Sequence, residues 1–545
     1  MQRHLVTFAI LLVLGIFTCA AVTLLLASIN APDQQTATLP TPLAELEDAR
    51  PTQPPTSTPT DTPEPTLTAT ALPTPTPTDT PEPTPTETVT FSVRFHPDDA
   101  LYAGDQISWE VIAPPEVDLS RQTVTVRVNG ESAQQFGPLE FRPFGIAGRM
   151  QATFVWAWDT TTLESGLYIL TYSVDPAGYQ WDERVFLIPQ RLLRSPEPDA
   201  RWAVTESDCC LVYYITQTEA ERDLDLLLEQ MDQVAQVATE KMGVELEEAV
   251  TVTLLPRVMG HGGFAGDGIH ISYLDQNYAG SNFEMVLHHE MIHILDSRLG
   301  GGLPSTILAE GLAVYLSGGH YKQEEILPRA AALLQLPGGS TDNERGWYLD
   351  LAELAADFYS AQHEISYLQA AALVQFMVDT WGWDAFSDFY RSIQPDPSGS
   401  ELIALEAALQ AHFGLSLTAL EELFLEELLS QEVTPEHIED VRLTVAFYDS
   451  VRRYQEQMDP SAYFLTAWLM DLKEMQKRGI VADYFRRPMA TLNVVMESFL
   501  VKANQHLVSG DYAAAEQTLI ALAKALDAQR DDFSPQDEVI EVKAE

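Results

Sequence analysis

The 545-residue sequence predicts a multidomain protein with four structured parts: an N-terminal transmembrane helix, an all-β sandwich, an α+β domain and an all-α C-terminal region. Three observations carry that expectation. An uncharged apolar run opens the chain and a Pro/Thr-rich tract follows it. Beyond the tract, the hydrophobic period changes from two residues to a mixed pattern and then to 3.6.

Leu5 to Ile29 has no charged side chain and is long enough to cross a bilayer, which takes about 20 apolar residues. Ala27-Ser28-Ile29-Asn30 is a poor small-residue cleavage site, so residues 1–30 read as a signal anchor rather than a removed signal peptide. Ile16-Phe17-Thr18 does not make a lipoprotein signal of Cys19. Arg3 precedes the run and no Lys or Arg follows until Arg50. The positive-inside rule therefore places the N-terminus in the cytoplasm and the rest of the chain outside the cell membrane. Residues 31–88 form the Pro/Thr tract, expected as a disordered polyproline II stalk reaching on the order of 180 Å, whose role is spacing.

Residues 89–190 alternate with period two in Thr123–Val128, Thr153–Trp158 and Leu167–Tyr172, with turn signals at Val128-Asn129-Gly130, Glu164-Ser165-Gly166 and Asp175-Pro176-Ala177-Gly178. That spacing predicts an antiparallel β-sandwich. Asp159 to Tyr168 resembles the late strands of bacterial immunoglobulin-like surface domains. Trp109, Trp156 and Trp158 fit a sandwich core better than a carbohydrate platform.

A formal net charge of −49 excludes nucleic acid and anionic lipid headgroups as partners. Outside the apolar run the cysteines are the neighbours Cys209 and Cys210. Adjacent cysteines rarely bond without strain, so these read as buried free thiols.

Residues 191–431 are the α+β domain. Leu211–Ile215 and Val250–Leu255 read as strands around a helix from Glu219 to Met242, whose apolar positions include Leu224, Leu227, Leu228, Met231 and Val234. The glycine-rich loop Gly260–Gly268 runs into the strand Ile269–Tyr273, not a helix, which rules out a dinucleotide fingerprint. His270 alternates with Ile269 and Ile271 and is expected in solvent.

His289-Glu290-Met291-Ile292-His293 is an H-E-x-x-H sequence within a helical run. Residues four apart share a helix face, so both imidazoles reach one cation. Glu290 lies about 100° further round, badly placed as a ligand and well placed to meet a water on that cation. Gly300-Gly301-Gly302 breaks the helix and Pro304 suits the first turn of the next, which carries Ala309-Glu310-Gly311-Leu312-Ala313-Val314-Tyr315. An antiparallel return places Glu310 beside the histidines. Two His and one Glu leave one position of a tetrahedral Zn2+ open, as a catalytic site requires. One zinc per chain is expected.

HExxH followed by EGLAVY resembles the gluzincin metallopeptidases, particularly the peptidase MA-like families of bacterial surface proteins, over roughly Cys210 to Gln431. The resemblance implies a zincin domain with Glu290 as general base and His289, His293 and Glu310 as ligands. It implies that Ile269, His270, Ile271, Ser272 and Tyr273 form the sheet edge along which a peptide substrate pairs. It also implies that Tyr367, in a Tyr-x-x-Ala helix spanning Ile365 to Tyr390, donates to the oxyanion; as core packing Tyr367 is equally ordinary. The chain departs from the thermolysin pattern at Ala309 and Val314, where Asn and Asp would orient the imidazoles. Asp296 is the replacement candidate. His288 points away from the pair and is expected at the surface or behind the ligands.

Residues 432–545 read as helical, with one tetratricopeptide-like hairpin over Ala503–Glu516 that packs on the preceding domain, and an acidic tail from Asp531. The expected function is a membrane-anchored, extracellular zinc endopeptidase acting on a peptide or protein substrate. From another class, the chain is a surface adhesin or scaffold with a silent zincin domain; the intact Glu290 argues against silence.

Overall fold

The computed structural model describes residues 90–532, except 116, 118, 120, 130–133, 258–261, 275–276, 338–344, 469 and 487–489. The anchor, the stalk and the tail beyond 532 lie outside the described residues. Among the described residues, no single helix is long and apolar enough to cross a membrane.

Period-two segments build the N-terminal part. Eight strands, β1 (Ser92–His96), β2 (Gln106–Ile112), β3 (Thr123–Asn129), β4 (Gln134–Glu140), β5 (Arg142–Phe144), β6 (Arg149–Asp159), β7 (Gly166–Asp175) and β8 (Tyr179–Leu187), form two four-stranded antiparallel sheets. Their orders are β1-β2-β6-β5 and β4-β3-β7-β8. The sheets share one core because each sends its alternate apolar residues inward, as Val124, Val126 and Val128 do on β3. Trp109 and Trp158 are fully buried in that core, whereas Trp156 is half-buried beneath the Arg478 guanidinium.

The next sheet is mixed, with order β12-β13-β11-β10-β9, comprising β9 (Trp202–Glu206), β10 (Cys210–Ile215), β11 (Val250–Leu255), β12 (Gly263–Ala265) and β13 (Ile269–Ser272). The parallel β10–β11 pair is joined through α1 (Leu224–Met242), whose Leu227, Met231, Ala235 and Ala238 are buried. The helix expected over 219–242 is interrupted at Asp223, so a short turn precedes α1.

Three expectations need correction here. The strand at 269–272 is interior, because β11 and β12 pair with its two sides; the edge strand on that side is β12. His270 is buried, since the segment around Met470–Gln476 and Phe264 cover that side of the sheet. Cys209 and Cys210 form a disulfide rather than free thiols.

Two helices follow that carry the motif residues. Asn282 caps α2 (Phe283–Leu299) by accepting from the Met285 amide, and Gly300 ends it at φ 63°. Ser305 is the N-cap of α3 (Thr306–Ser317), so Pro304 precedes the cap instead of entering the first turn. Next come α4 (Ile326–Ala332), α5 (His363–Trp381) and α6 (Trp383–Ser392); the single helix expected over 365–390 breaks at Gly382.

The C-terminal part adds α7 (Glu401–His412), α8 (Leu417–Ser430), α9 (Pro435–Met458), α10 (Leu472–Arg478) and the hairpin α11 (Thr491–Val508) and α12 (Tyr512–Asp532). Val441 and Val445 of α9 sit in the same core as α2, α3 and α5. Leu443, Phe447 and Val451 of the same helix receive the hairpin residues Leu500, Ala503, Leu519 and Leu522.

Candidate metal centre and its cavity

Helical geometry places His289 and His293 one turn apart on α2, and α3 brings Glu310 against them. On its other side α3 packs against α5 through Gly311: a Cβ there would lie 2.5 Å from the Ala370 carbonyl oxygen, so only glycine lets these two backbones meet this closely. His293 Nε2 lies 3.0 Å from His289 Nε2, and Glu310 Oε2 lies 3.1 Å and 3.4 Å from His289 Nε2 and His293 Nε2. The three atoms form one compact triangle, the single such His/Cys/Asp/Glu group among the described residues.

The donor set fits zinc. Ligands about 2.0–2.1 Å from a tetrahedral zinc are about 3.3 Å apart, close to the observed separations. Three lone-pair atoms turned toward one point also lack a shared proton arrangement that satisfies all of them, which a cation supplies. His288 is buried, with no partner for its Nε2 among the described residues, and is not part of the triangle; of its two expected placements the surface one is overturned.

Without a cation, the charges are unequally held. Burial pushes the His289 imidazole down to about 4. For His293 burial acts in the same sense, but the Glu310 carboxylate outweighs it and raises the group to about 9. Burial would raise Glu310, yet the two imidazoles hold it well below the ordinary carboxylate range. Burial drives Glu290 up to about 7, with the His293 charge and, less, the Ala265 main chain opposing.

A cavity of about 300 Å³ opens over these groups. Its floor holds His289, Glu290, His293 and Glu310, and the edge strand Gly263–Ala265 forms one side. Ile269 to Tyr273 do not line it. Tyr367 does; its buried ring lies 6.2 Å from His289. Asp296 stands apart, its carboxylate accepting from the Tyr390 hydroxyl at 2.9 Å and pairing with Arg391 at 3.3 Å, so it acts on His293 by charge alone.

Four cavity residues escape the sequence. Tyr359 donates its hydroxyl to Glu310 Oε1 at 2.7 Å. His320 stacks on Tyr367 with ring centroids 4.4 Å apart. Phe464, beyond α9, and Ile146, from the β5–β6 turn of the sandwich, complete the wall. That turn is docked: the Ala147 amide donates to the Leu465 carbonyl at 3.0 Å, and Gly145, at φ 69°, has no room for a Cβ beside the same oxygen. The one local signal is the glycine pair Gly318-Gly319, which ends α3 and turns the chain just before His320.

No family model matches the chain, and no curated protein matches it. Among solved structures, the chain is similar to a variant of an M1 zinc metallopeptidase from Deinococcus radiodurans at 13% identity, covering 63% of this chain and 94% of that one, with a TM-score of 0.27. A two-domain M1 zinc metallopeptidase variant bound to L-arginine gives 14%, 63%, 94% and 0.26 in the same order. An aminopeptidase N family protein from Idiomarina loihiensis gives 12%, 71%, 78% and 0.19. Likenesses of this size decide neither family nor activity.

Proposed function

We propose that this chain is a zinc-dependent hydrolase of peptide bonds, of the gluzincin type, with one Zn2+ held by His289, His293 and Glu310. The observation that carries the reading is the convergence of those three ligand atoms beneath a cavity whose floor also contains the non-ligating carboxylate Glu290. Bound zinc would supply a Lewis acid that polarises a carbonyl and lowers the pKa of water to about 7.

The chain's own residues do the rest. Glu290 takes a proton from the attacking water as its oxygen bonds to the carbonyl carbon. When the carbon–nitrogen bond breaks, Glu290 returns that proton to the leaving amine. The edge strand β12, at Gly263–Ala265, takes over the substrate-pairing role expected for Ile269–Tyr273, since it lines the cavity and an extended peptide can add to a sheet edge. Pairing of this kind needs no chain end, which supports an endopeptidase.

We take the division at 89–190, 191–431 and 432–545, the immunoglobulin-like character of the sandwich and the placement outside the cell on an N-terminal anchor as parts of the same reading. The test is cleavage of an unfolded protein by the zinc-loaded chain and by Glu290→Gln, with zinc content measured in both. Cleavage should fall by about 10²- to 10⁴-fold at constant zinc. Zinc-loaded wild type that binds peptide and never cuts it would favour the silent scaffold instead.

A further inference from the structure

The mixed sheet has a second face, turned away from the metal centre, and its chemistry changes along the strands. Ile215 of β10 and Leu255 of β11 pack there against Trp468, Leu472 and Met475. Two residues earlier on the same strands the face turns polar. Register sets Tyr213, Thr253, His270 and Phe264 side by side, one residue from each of β10, β11, β13 and β12. Thr253 is 1% exposed and His270 6%. Sheet positions covered this deeply favour Val, Ile and aromatic side chains. Burying a hydroxyl or an imidazole there costs free energy unless each finds a hydrogen-bond partner. The Nε2 of His270 stands 3.5 Å from Asp267 Oδ1, and its Nδ1 has no partner among the described residues.

A cavity of about 330 Å³ lies over this row, roofed by residues between Met470 and Gln476. That size falls in the usual range of small-molecule sites, roughly 300–1,000 Å³. Its charged groups are two carboxylates, Asp267 and Asp471, and one ammonium, Lys473, which pairs with Asp267 at 2.6 Å. The surplus of negative charge disfavours an anion. Burial holds the His270 imidazole below its ordinary value, so the ring is neutral at pH 7 and offers one donor and one acceptor. The hydroxyls of Thr251 and Thr253 and the amide of Gln476 likewise donate and accept. Tyr213 and Phe264 stand at the two ends of the row and supply ring surface. Donors and acceptors between two aromatic rings match a ligand dense in hydroxyl groups that also presents apolar C–H faces.

We propose that this rear cavity is a binding site for a neutral saccharide of one or two rings, with Thr253, His270 and Gln476 as its hydrogen-bonding partners and Tyr213 and Phe264 packed on its C–H faces. The site stands apart from the metal centre and does not rest on the peptidase reading. Phe264 borders both cavities, so a sugar held there touches the strand that walls the cleft.

The test uses the zinc-loaded full chain and a panel of methyl glycosides of glucose, galactose, mannose and N-acetylglucosamine, with glucuronate as the anionic control. Saturation-transfer NMR and calorimetry read the binding. At least one glycoside should bind saturably, and glucuronate should bind more weakly than methyl glucoside. Thr253→Val keeps the shape of the strand and removes a hydroxyl; Gln476→Leu removes the amide from the half-buried roof. Each should weaken binding about 3- to 10-fold, the range of one lost neutral hydrogen bond, with unfolding temperature and zinc content unchanged.

No saturable binding by any glycoside of the panel would overturn the proposal. Affinity left unchanged when Thr253→Val and Gln476→Leu are combined would place the sugar elsewhere and overturn it too. Tighter binding of glucuronate than of methyl glucoside would contradict the neutral ligand.

Discussion

The Tyr359 hydroxyl donates to Glu310 Oε1 at 2.7 Å while Oε2 of the same carboxylate turns to His289 at 3.1 Å. One oxygen is thereby pinned from outside, which fixes the direction in which the other presents its lone pair. Burial and the neighbouring Glu310 charge raise the Tyr359 hydroxyl, so it stays a donor across the whole working pH range. Partners that orient a metal ligand typically affect metal affinity by about 10- to 100-fold.

Tyr359→Phe should therefore weaken zinc retention by about tenfold or more without altering the fold, as measured by competition with a chromogenic chelator. Unchanged affinity would mean that packing on α5 orients Glu310 unaided.

Zinc uptake should release a proton. In the metal-free chain the Glu310 carboxylate keeps His293 charged up to about 9, whereas burial leaves His289 neutral down to about 4. Between those values one imidazole must lose its proton to bind, so apparent affinity should rise about tenfold per pH unit and level off near pH 9. Calorimetry in buffers of different ionisation enthalpy should give about one proton per zinc at pH 7; a value near zero would contradict the His293–Glu310 ion pair.

Glu290 should cost stability where it is charged. Burial lifts its carboxyl from 4.5 to about 7, so the folded state holds the proton more tightly than the unfolded state. Its stability contribution is full below about 4.5 and is lost as pH rises through about 7. In the metal-free chain at pH 8, Glu290→Gln should be more stable than wild type by on the order of 3 kcal/mol at most. Denaturant unfolding at pH 4 and pH 8 checks it: the gap should close at the lower pH.

The sandwich turn should matter to the cleft. Gly145→Val places a branched side chain at φ 69°, against the Leu465 carbonyl oxygen. Undocking of that turn should expose the 463–468 segment to limited proteolysis and change which residues are accepted next to the cut, with zinc content unchanged. A variant with wild-type cleavage preferences would remove Ile146 and its turn from substrate selection.

If Leu5 to Ile29 is an uncleaved anchor, external protease on intact cells should release the catalytic part through cuts in the Pro/Thr tract. A mature form beginning near Ala31 and recovered from the medium would overturn the anchor.

His289, Glu290, His293 and Glu310 were legible in the sequence because their placement follows from local periodicity: one helix turn, a glycine break and a short return. The same locality made β10, β11, β13, α2 and α3 readable from apolar spacing, and the two-residue alternation of Val124, Val126 and Val128 announced the sandwich. Strand order is not a local property. β12 is three residues in a glycine-rich stretch, too short for a periodic signal, yet by pairing with Ile269–Ile271 it takes that edge of the sheet away from Ile269–Ser272. His270 alternates like an exposed residue, and only the distant 470–476 segment, folded over that face, buries it. Tyr359 reaches Glu310 across 49 residues, His320 reaches Glu364 across 44, and Arg329 reaches Asp440 across 111. Side-chain partnerships at such separations depend on how helices pack, which hydrophobic pattern constrains to a face and never to a particular contact.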